Sequence, residues 1–83
     1  MNTKNISTYR LDTRKVKILQ IQKNVQNKDI VQRYGFSAAE VSRHVQGDGR
    51  RKDVQEAIAA ALGVSLEDIL LKPTIDHTAE QAA

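Results

Sequence analysis

From Val16 onward, apolar residues fall at spacings of three and four, the repeat of one helix face: Val16 and Leu19, with Ile18, Ile21 and Val25 beside them. Asp12 or Thr13 stands where a side-chain oxygen would cap that helix, which is expected to end near Lys23 to Val25. Asn27 is placed to cap a short second helix from Lys28 to Tyr34, with Ile30, Val31 and Tyr34 inward and Gly35 supplying a left-handed stop. Ser37-Ala38-Ala39-Glu40 reads as a capping box: the serine hydroxyl accepts from the N–H three residues on, and the glutamate reaches back to the serine N–H. A third helix therefore begins at Ala38, buries Val41 and Val45, and ends before Gly47. The stretch Gln46-Gly47-Asp48-Gly49-Arg50-Arg51-Lys52 predicts an exposed loop, because three adjacent unpaired cations are too costly to bury together. A fourth helix runs through Val54, Ala57, Ile58, Ala61 and Leu62 and stops at Gly63. Ser65 caps a short fifth helix with Glu67 and Asp68 in its first turn, where the helix dipole favours carboxylates, and with Leu66, Ile69 and Leu70 facing the core.

Composition narrows the architecture. Hydrophobic residues make up 40% of 83, yet there are one Phe, two Tyr and no Trp, so the core is aliphatic and suits thin helical elements. The expectation is an all-α, five-helix single domain over residues 12–72, with a flexible basic arm at 1–11 and, after Pro73, a flexible tail at 73–83. Residues 1–10 and 74–83 are expected to fray. The chain has no cysteine, which removes disulfides, thiolate metal sites and thiol catalysis. The longest apolar run, Ala57 to Leu62, is far short of the roughly 20 residues a membrane span needs. Met1 to Lys4 and the residues after them lack the apolar stretch of a secretion signal, so a cytoplasmic location is expected.

Charge changes the picture when it is divided along the chain. Residues 1–27 carry six positive and one negative side chains, residues 28–52 six and three, and residues 53–83 one and six. A basic first part joined to an acidic remainder points to a positive face presented to a polyanion, although a merely solvated surface accounts for charge alone equally well.

The segment Asn27 to Gly47 sharpens that hint. Two short helices flank a tight turn opened by Gly35, and Ile30, Val31, Val41 and Val45 supply the narrow apolar seam a helix-turn-helix needs. Three strings carry a resemblance: Asp29-Ile30-Val31-Gln32-Arg33-Tyr34-Gly35-Phe36-Ser37, then Val41-Ser42-Arg43-His44-Val45-Gln46-Gly47, then Ala59-Ala60-Ala61-Leu62-Gly63-Val64-Ser65-Leu66-Glu67-Asp68-Ile69-Leu70. Together, over about Lys15 to Leu71, they closely resemble the lambda-repressor-like (Cro/CI-type) helix-turn-helix family of phage and bacterial regulators. The resemblance implies base contacts from Ser37, Ala38, Ala39, Ser42 and Arg43. It implies phosphate contacts from Asn27 and Lys28 at the head of helix two and from Arg50, Arg51 and Lys52 after the recognition helix. Many relatives carry hydrogen-bonding residues where this chain has Ala38 and Ala39, whose methyls can meet only a thymine methyl, so readout leans on Arg43.

Each assignment has a plainer rival: a solvent-facing or phosphate-bound arginine for Arg43, and a solvated loop for Arg50, Arg51 and Lys52. Lys4, Arg10, Arg14, Lys15 and Lys17 form a basic arm or helix-one edge, or simply a wet surface. His44 reads as a surface or supporting residue rather than a ligand, and His77 receives no role. Ser7, Ser37, Ser42 and Ser65 lack a histidine and carboxylate set, and no phosphate-cradling glycine loop occurs, so no catalysis, metal, cofactor or small-molecule substrate is expected. The expected partners are double-stranded DNA and a weak homodimer formed on it around Val64, Leu66 and Leu70. This makes the chain a transcriptional regulator of the phage or prophage repressor type, nucleoid-associated when bound. The alternatives are an antitoxin-like or control protein that also holds a protein partner, and a protein-interaction module without DNA.

Overall fold

A computed structural model describes residues 6–72. Four α-helices follow one another, α1 Thr13–Lys23, α2 Asn27–Tyr34, α3 Ala38–Val45 and α4 Lys52–Leu62, and a single 3₁₀ turn, Leu66–Ile69, closes the series. Val16, Ile30, Val41, Val54, Ile58 and Ile69 are fully buried at their centre. Each such side chain removed from water contributes about 1.5 to 3 kcal/mol.

Asp12 caps α1 by accepting the N–H groups of Arg14 and Lys15, and Asn24 ends it in the left-handed conformation. Only part of the apolar repeat of α1 faces inward. Val16 is buried and Leu19 packs on the core, whereas Ile18 is 47% and Ile21 80% exposed. At about 100° per residue the two isoleucines lie roughly opposite Val16, and the inward place one turn on from Val16 belongs to Gln20. Its amide donates to the Asn27 carboxamide oxygen at 2.8 Å and ties α1 to α2.

Several expected termini differ in detail. Asn27 is the first residue of α2 rather than its cap; the cap is Gln26, whose N–H donates to the Asp29 carboxylate at 2.8 Å. Within α2 only Ile30 is fully buried, while Tyr34 is 37% exposed. Ser37 caps α3 by accepting from the Glu40 N–H at 3.1 Å, but the Glu40 carboxylate is drawn away to Arg51, so the box is half made. The expected fifth helix is the 3₁₀ turn. Continuing it as an α-helix would require the Ile69 carbonyl to accept from residue 73, a proline with no N–H. That carbonyl accepts instead from Asp12 N–H at 2.7 Å.

Residues 6–11, expected to belong to a frayed arm, are a paired strap. Isolated antiparallel bridges join Ile6 to Arg51 and Leu11 to Leu70. Ser7 N–H donates to Arg50 O at 2.7 Å, Leu71 N–H to Arg10 O at 2.8 Å, and the buried Gln55 amide to Tyr9 O at 3.0 Å. Leu11 is 1% exposed, which anchors the strap in the core. The expectations for Lys4, Pro73, His77 and the 73–83 tail lie outside the described residues.

Candidate nucleic-acid interface

Helix α3 is two-faced. Val41, His44 and Val45 are buried, while Ser37, Ala38, Ala39 and Arg43 are exposed and Ser42 half-exposed. Once the two valines face inward, a helical repeat turns 39, 42, 43 and 46 away from them, while Ala38, nearer the valine side, stays exposed in the first turn. The five residues assigned to base contact thus share one outer surface. The Ser37 hydroxyl is engaged as the cap, and the Ser42 hydroxyl lies 3.4 Å from the Gln46 amide nitrogen. Gln46, not singled out from the sequence, completes this face, and its spacing from Ser42 and Arg43 was the available signal.

The turn before α3 and the loop after it are both held. Gly35 ends α2 with φ 80° and returns its N–H to Val31 O at 2.9 Å. Beyond α3, Gly47 N–H donates to His44 O and Asp48 N–H to Arg43 O, both at 2.9 Å. His44 is not a surface residue: it is 1% exposed, bonded through both ring nitrogens. Gly49 passes directly over the ring, where a Cβ would stand 2.5 Å from Cε1.

The three loop cations are not equivalent. Arg51, expected to lie unpaired, caps α4 and bonds Asp53 at 2.8 Å and Glu40 at 3.4 Å, with its guanidinium 5.8 Å from the Phe36 ring centre. Partial burial pushes the Asp53 carboxyl up, but hydrogen bonds from Arg51 and the Val54 N–H overcome it and hold the group below its ordinary range. The same bond to Asp53 raises Arg51. Arg51 thus keeps its charge but already shares it with two carboxylates. Arg50 and Lys52 are exposed, and among the described residues neither forms an ion pair with a carboxylate.

At the head of α2, Lys28 is exposed, whereas Asn27 is half-buried with its oxygen occupied by Gln20. Arg14, Lys15 and Lys17 are exposed on α1. An open groove of about 810 Å³ brings Arg10, Arg14 and Lys17 to the Gln46–Gly47 end of α3. A second, about 610 Å³, places Arg10 with Arg50 and Lys72. The strap is what sets Arg10 between α3 and the loop.

No helix among the described residues is long and apolar enough to cross a membrane. The family model for the Cro/C1-type HTH DNA-binding domain matches residues 15–71. Comparison with curated proteins and with solved structures returns no match.

Proposed function

Because the chain belongs to the Cro/C1-type HTH DNA-binding family, we propose that it is a sequence-specific binder of double-stranded DNA that regulates transcription in the cytoplasm as a phage or prophage type of repressor. The observation that carries this reading is the outer face of α3, where Ser37, Ala38, Ala39, Ser42 and Arg43 stand together outside a buried valine seam. Lying in a major groove, such a face offers the Arg43 guanidinium to guanine O6 and N7 and the two alanine methyls to thymine methyls. Lys28, Asn27, Arg50 and Lys52 flank it as phosphate contacts, with Arg51 bracing the loop more than binding. Backbone contacts fix register, and the short base-reading face supplies sequence preference.

One such unit reads few base pairs, so two copies on half-sites about 34 Å apart form the working species. Val64, Leu66 and Leu70, the surface first expected between them, are partly buried against the protein's own core. The apolar side chains left to water include Ile18, Ile21 and Leu71 along one groove. Arg14 and Lys17 on the same groove repel a second copy until DNA phosphates neutralise them, which keeps the dimer weak in solution. Selection from a random duplex library tests the reading: enrichment of a two-fold-symmetric motif supports it, and a flat library refutes sequence-specific binding.

A further inference from the structure

His44 sits on the recognition helix, yet its ring is closed over, 1% exposed, and both nitrogens have partners of fixed character. Nδ1 stands 2.8 Å from the Glu40 carbonyl oxygen, which only accepts. Nε2 stands 3.0 Å from the Arg51 backbone nitrogen, which only donates. The pair of bonds is complete for one form of the side chain, neutral with its hydrogen on Nδ1. Gly49 crosses the ring so closely that a Cβ there would meet Cε1 at 2.5 Å. Arg51 is the cap of α4 and Arg50 precedes it, so the loop that bears the cations is pinned at its far end by a side chain of α3. Its near end is pinned by Asp48 N–H to Arg43 O.

We infer that His44 is a positioning residue for backbone recognition: its imidazole fixes the height of the Arg50–Lys52 segment above α3, so that these cations meet phosphates while Arg43 lies in the groove. The inference rests on the duplex-DNA reading above. An apolar side chain of similar size would fill the same space but leave the Arg51 N–H without its acceptor, and the loop would settle elsewhere to find water. Arg43, on the outer face, would keep its place. Loss of the bridge therefore separates two properties that a general loss of fold would remove together, backbone affinity and base preference.

Five variants test this, each checked by circular dichroism for retained helix at the assay temperature: His44→Leu, His44→Gln, Gly49→Ala, His44→Ala, and the pair His44→Ala with Gly49→Ala. Binding is measured on the library-selected duplex and on random duplex across a salt series. His44→Leu is expected to weaken both duplexes on the order of tenfold at physiological salt, to leave their ratio within about twofold, and to flatten the slope of log K against log salt by about 0.9 to 1.8. His44→Gln, whose amide both donates and accepts, restores most of the slope. Gly49→Ala keeps every hydrogen-bonding group and acts only by displacing the ring, so it decides the case even where His44→Leu does not fold. It flattens the slope in the wild-type background and adds nothing once His44 is alanine. A wild-type slope in Gly49→Ala, or an equal effect of Gly49→Ala with and without the imidazole, overturns the inference. The Arg51 amide, followed by ¹⁵N NMR in the free protein, reports the bridge without DNA: it is expected to shift in His44→Leu and hold in His44→Gln, and an unmoved resonance in His44→Leu also overturns it. Failure of the wild type to bind any duplex, with the amide behaving as expected, refutes the DNA reading and spares the bridge.

Discussion

Replacing Gly47 by alanine tests how tightly the recognition helix is seated on the rest of the domain. Gly47 has φ 84°, and a Cβ built on it would stand 2.8 Å from Thr13 Oγ1 and 3.2 Å from the Leu11 carbonyl oxygen. Gly35, at φ 80°, has nothing within 4 Å of the same position. An alanine in the left-handed region costs about 1 to 2 kcal/mol at either place. At Gly47 the steric conflict adds about 1 to 3 kcal/mol, because Leu11 is held between Arg10, bonded to Leu71, and Asp12, bonded to Ile69, and cannot simply move aside. Gly47→Ala should thus lose about 2 to 5 kcal/mol, a large part of the roughly 4 to 12 kcal/mol expected of a domain this size. Urea denaturation of Gly47→Ala, Gly35→Ala and wild type, fitted with a common slope, measures the difference. Adding Thr13→Ala should recover part of the loss and not all, since the Leu11 carbonyl remains. Equal destabilisation of the two glycine variants would refute the seating of α3 against the strap.

Leu11→Ala should cost about 2 to 5 kcal/mol by the same denaturation, since it empties a core site that also anchors the strap. Arg50→Ala and Lys52→Ala should each flatten the salt dependence of duplex binding by up to about 0.9, and Arg51→Ala by clearly less, because its charge is already shared with Asp53 and Glu40. Asp53, whose carboxyl is held below 3.8 in the folded protein, stabilises it above about pH 4, and that contribution disappears as the pH falls through the folded value. Thermal melts should show Asp53→Asn less stable than wild type at pH 7, with the gap narrowing as the pH falls below about 4; a gap that widens in acid contradicts the pairing.

The helices were legible because their punctuation is local. Gly35, Gly63, the Ser37 cap and the Val41–Val45 seam act within a few residues, and each stands where the pattern of the chain puts it. What escaped the sequence depends on contacts between distant segments. Nothing in Ile6 to Leu11 announces a strap, because its partners Arg51, Leu70 and Leu71 lie some forty to sixty residues on. The repeat in α1 suggested inward isoleucines, whereas the inward place went to Gln20, whose partner Asn27 was read as a cap. His44 and Arg51 misled for one reason: a polar side chain is read as exposed unless its partners are visible, and theirs, an amide, a carbonyl and two carboxylates, meet only once α3 and α4 are packed. Most of the outer face of α3 needed no such knowledge, since burying two valines four apart turns Ala39, Ser42 and Arg43 outward.

Whether that outer face reads bases is tested most directly by Arg43→Ala, measured on the selected duplex and on random duplex under the same salt. The account predicts a loss of about 1 to 3 kcal/mol on the selected site, roughly 5- to 150-fold, and a much smaller loss on random sequence, because one guanine contact goes while the phosphate contacts stay. Equal losses on the two duplexes would make Arg43 a backbone contact and contradict base readout by α3.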